Sequence, residues 1–184
     1  MTGGILSFRE EINTAVLTFS NGLPSNIYRA GLTTDITDIA GNQLTADQSW
    51  SFTSPPEVHW DGGGDGSSWH DPLNWRKDKL PQNGDVVFIN DPDDITVNYT
   101  SGTTTLYSLQ SEENITLSGG TLSIEITSFI NKEFTQNGGT LSGAGTLTVA
   151  GLMTWTAGTQ AGSGETIAAG GLLLEGGKIG RAHV

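Results

Sequence analysis

Cysteine is absent from this 184-residue chain, so it holds neither a disulfide framework nor a thiolate metal site. Positive charge is scarce: 8 Lys and Arg stand against 20 Asp and Glu, a net charge of −12. A phosphate backbone needs a basic footprint, so nucleic acid and anionic lipid are not expected as partners. No apolar run is long enough to span a bilayer, and membrane insertion is not expected. The N-terminus lacks the basic start and apolar core of a secretory signal. No stretch of ten residues carries an apolar stripe at helical spacing. What the chain has instead is glycine (26 residues), with Thr, Ser and Asn separating short apolar runs. Glycine follows no triplet period, which excludes collagen, and this texture points to an all-β protein with many turns.

The glycines carry the main signal. Gly120, Gly139, Gly158 and Gly177 lie 19 residues apart, each preceded by a tiny residue (Gly119, Gly138, Ala157, Gly176). Threonine follows the first three, as Thr121, Thr140 and Thr159. An apolar side chain stands five positions before each (Ile115, Phe134, Met153, Leu172), and a polar one two before (Ser118, Asn137, Thr156, Glu175). A fixed period near twenty residues, with a small-residue turn and an inward apolar strand, predicts stacked rungs of a parallel β-helix. A second inward column is expected through Phe129/Ile130, Thr148/Val149 and Ile167/Ala168, which leaves the number of strands per rung open. In a solenoid each rung contacts only its neighbours, so function is expected on a long surface rather than in one cleft.

Residues 1–54 read as strands Ile5–Phe8, Thr14–Phe19, Ile27–Thr33 and Ser49–Phe52, with an Asx-type turn at Asp38-Ile39-Ala40-Gly41-Asn42. The order Leu23-Pro24, Tyr28, Asp38-Ile39-Ala40-Gly41-Asn42 and Trp50-Ser51-Phe52-Thr53 resembles the bacterial Ig-like domain of S-layer and other surface proteins. The resemblance covers about fifty residues and implies the last strands of a β-sandwich, a fold that needs roughly 100 residues when whole. Pro55 and Pro56 then break the ladder, placing a linker at 55–58.

Residues 59–90 hold Trp60-Asp61-Gly62-Gly63-Gly64-Asp65, Trp69, Asn74-Trp75, Leu80-Pro81 and Asp85-Val86-Val87-Phe88-Ile89. This pattern resembles the segment that leads into β-helical stalks of adhesin- and autotransporter-like proteins. Its tryptophans Trp60, Trp69 and Trp75 are expected to cap the open end of the solenoid core. The competing reading makes them a platform that stacks on glycan rings. Rungs are expected over 91–177. Residues 178–184 (Lys178 through Val184) resemble a translated sequencing adapter and are set aside as a non-native tail.

Candidate chemistry is thin. Asp61 and Asp65 flank the glycine run with Asp71 nearby, which suits either calcium, with its six to eight oxygens, or a solvated turn. The spacing fits neither an EF-hand nor a calcium-binding nonapeptide repeat. Asp91, Asp93 and Asp94 form a second acidic turn. Gly62 to Gly66 lacks the Lys-Ser/Thr ending of a phosphate loop, and His59 and His70 alone make a poor zinc site. Glu112, Glu113, Glu125, Glu133, Glu165 and Glu175 do not cluster at rung spacing, so no hydrolytic carboxylate pair is expected. Glu113 and Lys132, 19 residues apart, are expected as a surface ion pair of small value. No serine sits in a nucleophile elbow.

The sequence reading is therefore an all-β chain, a partial Ig-like β-sandwich followed by a parallel β-helix. Its expected role is a non-catalytic stalk or scaffold within a large exported bacterial surface protein, extracellular or on the cell surface. It would be joined to neighbouring domains of a longer parent and face a surface receptor or glycan. No cofactor is expected apart from possible calcium. A carbohydrate-binding or carbohydrate-active β-helix and a calcium-dependent surface-layer module are the alternatives.

Overall fold

The computed structural model of the chain describes residues 26–38 and 40–175, and the backbone of residues 5–9 and 14–18. Leu23-Pro24, Ile39, Gly176, Gly177 and the tail 178–184, all named above, lie outside the described residues. The chain divides into two units at Pro56/Glu57.

In the first unit, β1 (Ile5–Arg9) pairs antiparallel with β2 (Thr14–Thr18), and β3 (Ile27–Leu32) pairs antiparallel with β4 (Gln48–Thr53). The turn between β3 and β4 is organised by Asp38. Its Oδ1 accepts from the Ala40 and Asn42 amides at 2.9 and 2.8 Å, and its Oδ2 accepts from Asn42 Nδ2 at 2.9 Å. Those donors, led by the Asn42 side chain, hold the Asp38 carboxyl below its ordinary pKa. Tyr28 stacks on Phe52 across the pair, while Trp50 and Phe52 remain exposed.

The second unit is a parallel β-solenoid with three strands in each full rung. One face stacks β7 (Thr96–Tyr99), β10 (Asn114–Leu117), the first half of β13 (Phe134–Gly143), the first half of β15 (Met153–Gln160) and β17 (Leu172–Leu174). The next face stacks β8 (Thr103–Leu106), β11 (Thr121–Ile124) and the second halves of β13 and β15. The third stacks β5 (Glu57–His59), β6 (Val86–Ile89), β9 (Ser108–Ser111), β12 (Ser128–Ile130), β14 (Thr146–Val149) and β16 (Glu165–Ala168). Glu57 and Val58, expected in a linker, already pair with Val86 and Val87.

The pairing is in register with the sequence repeat. Ile115 pairs with Phe134, Phe134 with Met153, and Met153 with Leu172. Ile115, Phe134 and Met153 are buried to 2% exposure or less, each worth roughly 1.5–3 kcal/mol of apolar burial. Leu172, on the last strand, has no following rung among the described residues and is 51% exposed. Strand alternation splits the second expected column. Ile130 and Val149 point inward and are buried, whereas Phe129, just before Ile130, and Ile167, just before Ala168 on the next rung, point outward and are exposed.

The repeated glycine marks the corner between the first two faces. Gly120, Gly139 and Gly158 have φ of 71°, 61° and 92°, a left-handed region that side chains avoid. At Gly139 a Cβ would also sit 2.9 Å from backbone atoms of Gly119 and Gly120, so the stacked corners require glycine twice over. The interior is less uniform. Gly143 takes the place of Ile124 in the second face, and a cavity of about 590 Å³ opens among Ile124, Leu141, Met153 and Trp155.

Candidate functional site: the tryptophan cap and the acidic corner

After β5 the chain extends its ladder by one bond, Trp60 N to Phe88 O at 2.9 Å, then leaves the sheet through the glycine run. It returns at Ser67–Trp69 to cover the open edge of β7. Asn98 N donates to Ser67 O at 2.8 Å and Trp69 N donates to Asn98 O at 3.1 Å. Two 3₁₀ turns follow, Pro72–Asn74 and Arg76–Asp78. Asp71 caps the first, its Oδ1 accepting from Leu73 N at 3.0 Å.

These turns set the indoles edge to face. Trp60 meets Trp75 with centroids 5.0 Å apart at 84°, Trp69 meets Trp75 at 4.9 Å and 71°, and Trp69 meets Tyr99 of the first rung at 5.4 Å and 64°. Trp75 Nε1 donates to Trp69 O at 2.9 Å. The exposures of Trp60, Trp69 and Trp75 are 3%, 1% and 0%. Rings so enclosed present no free face to a sugar, so the competing reading of a glycan platform loses these tryptophans. Burial and the edge-to-face contacts, each worth about 0.5–1.5 kcal/mol beyond area, make them part of the apolar core.

The loop around them is organised by Asn74, fully buried. Its Oδ1 accepts from the Gly64 and Gly66 amides at 3.0 and 2.9 Å, while its Nδ2 donates to Asp65 Oδ1 at 2.8 Å and to Ser68 O at 2.9 Å. Asp65 Oδ1 also accepts from the Ser68 and Ser67 amides at 2.7 and 2.8 Å. The Ser68 and Ser67 amides, then the Asn74 side chain, lower the Asp65 pKa to about 2. Asp61 serves a separate turn, accepting from Gly63 N at 3.3 Å. The two carboxylates proposed for calcium thus face N–H donors of their own loop. Among the described residues no three His, Cys, Asp or Glu side chains gather as a cation site.

The two histidines are likewise apart in role. His59 stacks on Phe88 at 4.9 Å and lies 3.5 Å from the Glu57 carboxylate. His70 packs edge-on against Tyr99, and its Nε2 accepts from the Thr100 and Ser101 amides, both at 3.2 Å. Burial pushes the His70 pKa down, consistent with a neutral ring that accepts at Nε2.

The second polar centre lies at the corner between the third and first faces. Glu113 is 2% exposed, which corrects the expectation of a surface ion pair. Its carboxylate accepts from Lys132 Nζ at 3.0 Å, Ile95 N at 3.3 Å and Asp91 N at 3.4 Å. Lys132 also reaches Asp94 at 2.8 Å, and these two carboxylate contacts, Asp94 first, raise its pKa. One lysine therefore ties its own rung to the carboxylate of the preceding rung and to the acidic turn beyond. Asn114 adds to the same corner by donating to Asp94 Oδ1 and Ile95 O, both at 3.0 Å.

Sequence reasoning missed Asn74 and the burial of Glu113. Asn74 stood only as half of an Asn-Trp pair, with nothing marking its amide as the centre of the loop. Glu113 had a signal, its 19-residue offset from Lys132, but not its depth. What these arrangements do chemically is hold backbone: every acceptor described for Asn74, Asp65 and Glu113 is occupied by an amide, a side-chain N–H or an ammonium. No helix among the described residues is long and apolar enough to cross a membrane. No protein family, curated protein or solved structure is matched by this chain.

Proposed function

We propose that the chain is a non-catalytic structural and adhesive segment of a large exported bacterial surface protein, its solenoid acting as a stalk or scaffold that spaces other domains. The observation that carries this reading is the continuous parallel ladder from β7 to β17, which pairs throughout despite one irregularity between β13 and β15. Each rung binds the next through backbone hydrogen bonds and inward apolar columns, an architecture that gives rigidity without cysteine. The polar centres support it further, because Asn74, Glu113 and Lys132 fasten turns and rungs rather than converging on an open cleft. The exposed Trp50 and Phe52 of the two-stranded β3–β4 sheet fit an Ig-like half-sandwich whose second sheet would cover them.

A scaffold tolerates a change in rung number, whereas a site built across particular rungs does not. The test is to duplicate residues 134–152, one full period. The reading expects a folded protein, longer by about 4.8 Å along the solenoid, with an unchanged cooperative transition. A product that unfolds or aggregates would count against it.

A further inference from the structure

The outward side chains of the three faces differ in kind. On the first face, Thr116, Thr135 and Thr154 stack in one column that ends in exposed Leu173 on the last strand, and on the second Thr103, Thr121, Thr140 and Thr159 stack likewise. Those columns show what a solvated face of this solenoid looks like: short hydroxyl side chains with high strand preference. The third face departs from it. Its outward column runs His59, Phe88, Gln110, Phe129, Thr148, Ile167, as the strand registers place them. Phe129 is 43% and Ile167 39% exposed, and Phe88 is half-buried with His59 stacked on it.

The order of that column is regular. From Phe88 onward, apolar side chains occupy alternate rungs and carboxamide or hydroxyl side chains the rungs between, with His59 stacked on Phe88 ahead of them. With neighbouring strands about 4.8 Å apart, Phe88 to Phe129 and Phe129 to Ile167 are each separated by roughly 9.6 Å. An extended β-1,4-linked glycan turns each sugar over relative to the last, so every second ring offers the same face, at a spacing close to this one. Ring C–H faces stack on phenyl rings, while Gln110 and Thr148 are placed to hydrogen-bond the sugars between.

Charge selects within that class. The chain carries −12, the column from Phe88 onward is uncharged, and the charges beside it are carboxylates: Glu57 next to Val86 at the near end, Glu112 beyond Gln110, and Glu165 at the far end. An anionic polymer would be repelled by them and by the chain as a whole, and no Lys or Arg stands on this strip to hold one.

We propose that the third face binds an uncharged, extended β-1,4-linked glycan lying along the solenoid axis, with Phe88 and Phe129 as stacking residues. This goes beyond the scaffold reading and does not depend on it, since a rod without a glycan is still a rod. The experiment is retention of the full chain on swollen cellulose, with cellohexaose as soluble competitor. Curdlan (β-1,3-linked) and amylose (α-1,4-linked) serve as matrices of the wrong repeat. Retention on cellulose alone, competed by cellohexaose, is expected. Phe129→Ala should weaken it by on the order of tenfold, the loss of one stacking contact. Thr135→Ala, on the first face, should leave it unchanged. No retention on cellulose, equal retention on curdlan or amylose, or full binding by Phe129→Ala would each overturn the proposal. Phe129 is exposed, so an unchanged melting temperature in Phe129→Ala separates lost binding from lost fold, and the rung duplication judges the scaffold independently.

Discussion

Replacing Asn74 by alanine removes four hydrogen bonds from one buried point. The carboxamide accepts from two glycine amides and donates to Asp65 and the Ser68 carbonyl, at 2.8 to 3.0 Å. At about 1 kcal/mol net per bond the loss would reach roughly 4 kcal/mol, and more where a buried amide is left without a partner. Asp65 is exposed and regains water, which returns part of that, so a destabilisation of about 2–4 kcal/mol is expected. Melting should drop by on the order of 5–15 °C for a chain of this size. The loss should begin in the cap, because a solenoid rung depends on its neighbours and the cap has a rung on one side only. Urea unfolding followed by tryptophan emission, to which the three cap indoles contribute alongside Trp50 and Trp155, gives the magnitude. Hydrogen exchange at the Gly64, Gly66, Ser67 and Ser68 amides gives the location. A change below about 0.5 kcal/mol with unaltered exchange at those amides would show that Asn74 does not hold the loop.

Four further outcomes are expected. Lys132→Met leaves the buried Glu113 carboxylate without its cation and should lower the denaturant midpoint, with a smaller drop in Lys132→Met/Glu113→Gln. Gly139→Ala, at φ 61° and against stacked backbone, should cost at least about 1–2 kcal/mol, with thermal melting as the readout. Acid should weaken the fold in two steps. His70 and Asp65 both have folded pKa values below their unfolded ones, so each contributes stability that is complete above its unfolded value and lost as pH falls. The His70 step starts near pH 6.5 and should vanish in His70→Gln, whereas the Asp65 step runs from about pH 4 down to about 2, read by melting temperature against pH. Millimolar calcium or EDTA should leave tryptophan emission and melting unchanged, since the loop amides already occupy Asp65; a calcium-dependent shift would restore Asp61 and Asp65 as a cation site.

The 19-residue spacing of Gly120, Gly139 and Gly158 was enough, from sequence alone, to specify a parallel solenoid, its rung length and the column Ile115–Phe134–Met153. Both constraints are local and repeated: a corner that needs positive φ and a strand that needs one apolar face. Each copy reinforces the others, and the same physics is written several times in the chain. Three tryptophans among glycines likewise marked a distinct segment ahead of the rungs.

Only the tertiary structure decided how many strands make a rung and which of two adjacent residues faces inward. Phe129 and Ile130 are both apolar, and composition cannot tell inside from outside; the pleat, fixed by pairing with β9 and β14, turns Ile130 in and Phe129 out. The indoles of Trp60, Trp69 and Trp75 could be platform or core by residue type; only the fold buries them, against one another and, for Trp69, against Tyr99. Asn74 was invisible as a centre, and the depth of Glu113 was invisible too, because hydrogen-bond partners six or more residues away, or one rung away, are set by the fold and not by the residue itself. Periodic features are carried by the chain's own repetition, whereas unique polar contacts exist only once the rungs have stacked.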